Sequence, residues 1–207
     1  MCKPTKRAIC DALFVLLQEN GMDSITVRMV CGHAGISRQT LYNHYYSLLD
    51  VLNEELTRRL DRAIGEDNTY LTWHLGFEHI LDCLRENRVL ILHVYRSSCR
   101  GELLAMIEHY GGRLISRGID DCCRDLAADI SAEDRAFMLR LYQSAFMGVI
   151  DYWLSQDMKP SPAYITSRCN AMMALSIQGT IHRLTDSEAP ALQFASDVQR
   201  VDNPAAK

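Results

Sequence analysis

Five polar side chains, Arg38, Gln39, Thr40, Asn43 and His44, crowd into the seven residues after Ser37, in the segment GISRQTLYNHYY. Their chemistry is hydrogen bonding at a planar edge, with no nucleophile or paired carboxylate among them. A guanidinium such as Arg38 donates two parallel bonds to a guanine edge or grips a phosphate. Gln39 and Asn43 carry the donor–acceptor pair that matches adenine, and Thr40 suits a thymine methyl or a phosphate. Tyr42 and His44 offer a hydroxyl and an imidazole to a sugar–phosphate backbone, as do the free N–H groups where a capped helix begins. Leu41 and Tyr45 lie four apart and therefore share one helical face. That pairing leaves the polar set pointing elsewhere.

Other chemistries find little support. No nucleophile with an adjacent base, glycine-rich phosphate loop or paired carboxylates emerge, so no enzyme and no cofactor are expected. The eight cysteines are scattered without a C-x-x-C pair, and neither H-x-x-x-H nor E-x-x-H occurs. No metal site is expected; the cysteines read as reduced, small hydrophobes in a cytoplasm. The start, MCKPTKR, leads into no apolar run of export length. No segment approaches the ~20 apolar residues that span a bilayer, so no membrane association is expected. Net charge is −4 over 207 residues, yet residues 1–62 carry 8 Lys/Arg against 7 Asp/Glu. A nearly neutral head on an acidic body must hold nucleic acid through specific contacts rather than bulk charge.

Positioning this polar set requires helices. Nearly every apolar segment follows the helical period, and the fold class is all-α. A first helix is expected from Lys3 to Asn20, with Ile9, Leu13, Leu16 and Leu17 on one face. A second begins after Thr26 and stops before Gly35, which tolerates a tight turn. Ser37 caps a third, from Arg38 to about Tyr45. Ser47 to Asp50 forms a capping box for a fourth, reaching about Gly65. Longer helices follow over about 70–88, 89–97, 101–125, 132–156 and 163–184. Residues 1–46 thus form a helix-turn-helix domain, with 47–65 as linking helix. Residues 66–184 form a second helical domain, with the boundary near Gly65 to Thr69, and 185–207 a loose tail. Ala34 and Gly35 permit the close helix crossing, and Val30, Ile36, Leu41 and Tyr45 anchor it.

The ordered stretch ITVRMVCGHAGISRQTLYNHYYSLLDVL resembles the DNA-binding segment of the tetracycline-repressor (TetR) family. ENRVLILHVYRSSCRGELLAMIEHY and FMLRLYQSAFMGVIDYWLSQDMKPSP are similar to the second domain of a subgroup related to dihydroxyacetone-kinase control. The resemblance implies that Thr26, Arg28, Ser37, Arg38, Gln39, Thr40, Tyr42, Asn43 and His44 meet base edges or phosphates. It implies a homodimer on a palindromic operator in double-stranded DNA, and a repressor responding to a small-molecule effector. Two positions depart from the family pattern. Tyr46 and Leu48 stand where relatives carry basic residues, the second commonly a phosphate-binding lysine; Lys3, Lys6 and Arg7 are placed to compensate. The departures motivate an alternative, a regulator acting through a partner protein with weak or lost DNA binding.

Two helices of the body are apolar on more than one face and must be covered on more than one side. Either each is central to its own domain, or the two pair with their copies. The second option names Met138, Leu141, Ala145, Val149, Trp153, Ile165, Cys169, Met172 and Met173 as interface. An effector cavity, mostly apolar with a few polar handles, would draw on Trp73, Phe77, His93, Tyr95, Met106, His109, Tyr110, Tyr142 and Phe146.

Overall fold

The computed structural model describes residues 3–64 and 73–185. The expected boundary at Gly65 to Thr69, the segment 186–207 of the expected tail and the Trp73 side chain lie outside the described residues. Within them there are nine α-helices and no strand.

α1 (Lys3–Glu19) buries Ile9, Leu13, Leu16 and Leu17 on the face that the sequence predicts. Asn20 closes it by donating from Nδ2 to the Leu16 carbonyl at 3.0 Å. A short 3-10 turn, Met22–Ser24, follows and drops Met22 into the core. α2 (Val27–Ala34) starts on Thr26, whose Oγ1 accepts the Met29 N–H at 3.3 Å. It stops at Gly35, which takes the left-handed conformation (φ 64°) that a side chain would strain. α3 (Arg38–Tyr42) is capped by Ser37. It is shorter than predicted because Asn43 already ends it, although the Tyr45 N–H still reaches the Leu41 carbonyl at 3.0 Å.

α4 (Leu48–Ile64) opens on a reciprocal capping box. Asp50 N–H donates to Ser47 Oγ at 3.1 Å, and Asp50 Oδ2 accepts from Ser47 N–H at 2.9 Å. α4 packs on α1 and on α5 (Trp73–Glu86), so it leaves the head and enters the body in one element. α6 (Arg88–Tyr95) lies against α1, α5 and α7 (Arg100–Asp125). α8 (Ala132–Ser155) starts on Ser131, whose Oγ accepts the Asp134 N–H at 3.0 Å, and runs along α7. α9 (Pro162–Thr185) covers α5 and part of α7. Phe77 of α5 meets Phe146 of α8 edge to face at 4.5 Å.

Long-range polar ties join head to body. His93 Nδ1 donates to the Leu17 carbonyl at 2.7 Å. Asp23 accepts from Ser98 Oγ at 2.6 Å and from its N–H at 3.1 Å. Glu55, buried on α4, accepts from Arg58 and Arg59, and Arg59 continues to Asn87 at the start of α6. Burial alone would raise the Glu55 pKa; the bonds from Arg58 and Arg59 outweigh it and hold the carboxylate below its ordinary range. Cys10 of α1 lies beside this carboxylate, and burial together with the Glu55 charge pushes its thiol up to about 12.

The apolar set assigned to a dimer interface divides. Met138, Trp153, Ile165 and Cys169 turn into the core of their own chain. Trp153 is completely covered, and its Nε1 donates to the Pro160 carbonyl at 2.8 Å. Val149 and Met173 are half-buried, and Leu141, Ala145 and Met172 remain exposed. A helix that is apolar all round does not reveal which side its own domain takes.

Candidate nucleic-acid interface

Leu41, wholly buried, and Tyr45 hold α3 onto the head, with Val30 buried in α2 and Ile36 half-buried in the turn. With that side fixed, the other side faces outward. Arg38, Gln39, Tyr42 and Asn43 are exposed, Thr40 and His44 half-exposed, and Thr26, Arg28 and Ser37 exposed beside them. The structure therefore gathers these residues around α2, the turn and α3.

Local bonds order the face. Ser37 Oγ accepts the Thr40 N–H at 3.0 Å and lies 2.8 Å from the Thr40 hydroxyl. Gln39 Nε2 donates to Asn43 Oδ1 at 3.1 Å, so one donor and one acceptor of the two amides are already paired in the free protein. An adenine edge would have to replace that bond. Arg28 and Arg38 make no ion pair among the described residues and carry uncompensated charge outward.

The two departures take different places. Tyr46 is 94% exposed, while its N–H is held by Asp50 Oδ2 at 3.0 Å. Leu48 is only 9% exposed and packs into the core at the start of α4. Of the cations placed to compensate, Lys6 is engaged with Glu54 at 2.6 Å and lies 4.9 Å from the centre of the Tyr45 ring. Arg7 is exposed and loosely paired with Asp11 at 3.8 Å. The Lys3 side chain lies outside the described residues. The Tyr46 side chain thus stands in the open just beyond α3, on the phosphate side where the sequence reading places it.

The cavity candidates are distributed through the body. Phe77 and Phe146 pack on each other. Tyr95 donates to Asp151 Oδ1 at 2.9 Å under Arg100, and Tyr110 to Asp61 Oδ1 at 2.9 Å. The Tyr142 hydroxyl lies 3.0 Å from Ser176 Oγ, and His93 is tied to Leu17. Met106 is half-buried and His109 exposed on α7. The five buried rings are occupied by neighbours of their own chain. On the other side of α8 and α9, Phe137, Leu141, Tyr152, Tyr164, Met172 and Leu175 stand exposed, the last two at 73% and 76%. Phe137 is absent from the set read from the sequence, yet it falls four before Leu141, the spacing that would have found it.

Head and body define a two-part, all-helical protein with an outward helix-turn-helix. Residues 9–54 match the family described as bacterial regulatory proteins, tetR family. Residues 71–175 match the family described as transcriptional regulator C-terminal region. No curated protein matches the sequence. Among solved structures, the chain is similar to the dihydroxyacetone kinase operon activator DhaS. The TM-score is 0.61 at 17% identity, over 87% of this chain and 98% of that one. It is also similar to a TetR transcriptional regulator from Streptococcus agalactiae 2603V (TM-score 0.58, 22% identity, 85% and 94% covered). A third similar structure is NalD of Pseudomonas aeruginosa, the secondary repressor of MexAB-OprM (TM-score 0.51, 17% identity, 89% and 99% covered). At these identities the structures establish the fold. The chain belongs to the TetR family of bacterial transcriptional regulators and is not an enzyme.

Proposed function

We propose that the protein is a homodimeric, cytoplasmic repressor that reads a palindromic operator and releases it when a small molecule binds the body. The observation that carries the reading is the outward polar face of α3, anchored from behind by Leu41 and Tyr45. One short helix reads too few bases, and two copies read half-sites roughly 34 Å apart or a multiple of it. The exposed apolar strip of α8 and α9 is suited to supply the pairing. The effector has to prefer one arrangement of the heads, with a coupling of about 1–3 kcal/mol. DhaS is by its name an activator and NalD a repressor, and repression is the sign proposed for this chain. The test is an anisotropy titration against the promoter upstream of its own gene, with random DNA beside it across a salt series. Equal affinity for both sequences at every salt concentration rejects sequence reading. A reporter that falls when the gene is deleted reverses the sign.

A second reading, action through a partner protein, is favoured by Leu48 in the core and Lys6 already engaged. Tyr46→Lys separates the two, because that side chain is free of the core. A DNA-reading head gains affinity for all sequences, with a salt slope steeper by about one. A partner-reading head leaves promoter output unchanged.

A further inference from the structure

A groove of about 400 Å³ runs between α7 and α8. His109, Arg113 and Arg117 line it at successive turns of α7, with Ser116 beside them and Gln143 and Leu139 across on α8. No carboxylate is among its lining residues, although residues 63–207 carry 19 Asp/Glu against 14 Lys/Arg. Like charges at i, i+4 destabilise a helix by about 0.2–0.5 kcal/mol, so Arg113 and Arg117 are a local cost. Arg117 and His109 make no ion pair among the described residues, and the nearest carboxylate to Arg113 is Asp61 at 3.8 Å. Gln143 is fixed in place: its Nε2 donates to the Glu108 carbonyl at 3.2 Å. Glycine at 112 leaves it this place undisturbed, since a Cβ there would come within 3.0 Å of Nε2 and press the amide aside. Leu139 and Gln143 lie roughly half a turn around α8 from Leu141, so the groove stays open when the apolar strip is covered.

From this juxtaposition we propose that the α7–α8 groove binds a small polyanion, a phosphate ester or polycarboxylate, as the effector; this rests on the reading of the body as effector-binding. Two guanidiniums supply the charge complement; the His109 imidazole, Gln143 and the Ser116 hydroxyl, whose Oγ already accepts from Arg135 at 2.8 Å, supply neutral hydrogen bonds. A route to the head is built in. Arg113 and Tyr110 both address Asp61 of α4, the helix that leads from the recognition segment. An anion on Arg113 competes with Asp61 for the guanidinium and changes what α7 offers α4.

The experiment uses the full-length protein with pyrophosphate in one arm and citrate in the other, each balanced against chloride at constant ionic strength. Thermal unfolding and operator anisotropy are read in parallel. The expected result is a saturable rise in Tm with at least one probe, accompanied by weaker operator binding. Arg113→Gln and Arg117→Gln weaken the probe's apparent affinity by roughly tenfold or more, as loss of a charge-assisted bond implies. Arg183→Gln, at an exposed arginine of α9, leaves it unchanged. Whichever arm saturates identifies the anion class. No saturation with either probe, or equal saturation in Arg117→Gln, overturns the site. Saturation without any change in operator affinity overturns its role as effector site. Operator discrimination in the absence of probe tests the DNA reading separately, since Arg117→Gln should match wild type there.

Discussion

At the scale of single residues, the bond from Gln39 to Asn43 gives the sharpest expectations. Gln39→Ala relaxes base preference at one position of each half-site, with about 1–3 kcal/mol of discrimination lost there. A binding-site selection compared with wild type measures it; an unchanged consensus removes Gln39 from the groove. Tyr42→Phe deletes only a hydroxyl from a half-exposed ring. It should weaken binding to all sequences alike, by about 0.5–1.5 kcal/mol, with unfolding unaffected. Gly35 makes a backbone test. Nothing stands within 4 Å of the Cβ that alanine would add, so Gly35→Ala costs only the strain of the left-handed turn, about 1 kcal/mol. Gly35→Asn should cost less, because asparagine visits that conformation more readily. Chemical denaturation of the three proteins ranks them.

Elements were legible wherever the signal is local. Thr26, Ser37 and Ser47 each accept the N–H expected of a residue placed just before a helix, because a cap is settled within four residues. Illegible were the ties made across long stretches of chain: His93 to Leu17, Asp23 to Ser98 and Arg59 to Asn87. No periodicity encodes them. For the same reason Met138 and Trp153 could be named as apolar and helical but not assigned to one side of α8. Two other paired carboxylates titrate. Asp151 is held below its ordinary range by the Arg100 hydrogen bond, aided by Tyr95 and opposed by its burial, and Glu55 is lowered as well. A carboxylate whose folded pKa is depressed contributes its stabilisation above its unfolded value, roughly pH 4, and loses it as pH falls through the folded pKa. Urea midpoints of wild type and Asp151→Asn should therefore differ near pH 7 and converge at about pH 2. A constant gap across that window removes the Arg100–Asp151 pair as the cause.

For the whole molecule, the decisive surface is the apolar strip of Phe137, Leu141, Tyr152, Tyr164, Met172 and Leu175. Leu141→Asp combined with Met172→Asp places two charges in the proposed dimer interface without touching the core of either helix. The expected product is a folded monomer by light scattering, with wild-type helical content and operator affinity reduced by orders of magnitude. A double variant that stays dimeric moves the interface elsewhere. The membrane offers no alternative home for this strip through a spanning helix, since none among the described residues is long and apolar enough to cross one.

Cys10 sits where α1 meets the carboxylate of α4, with its sulfur kept in the unreactive, protonated form by burial and by Glu55. Alkylating reagents should pass it by while that seam is shut and modify it once α1 lifts away. The rate of labelling at this one position is thus a ready clock for how often the DNA-reading end breathes.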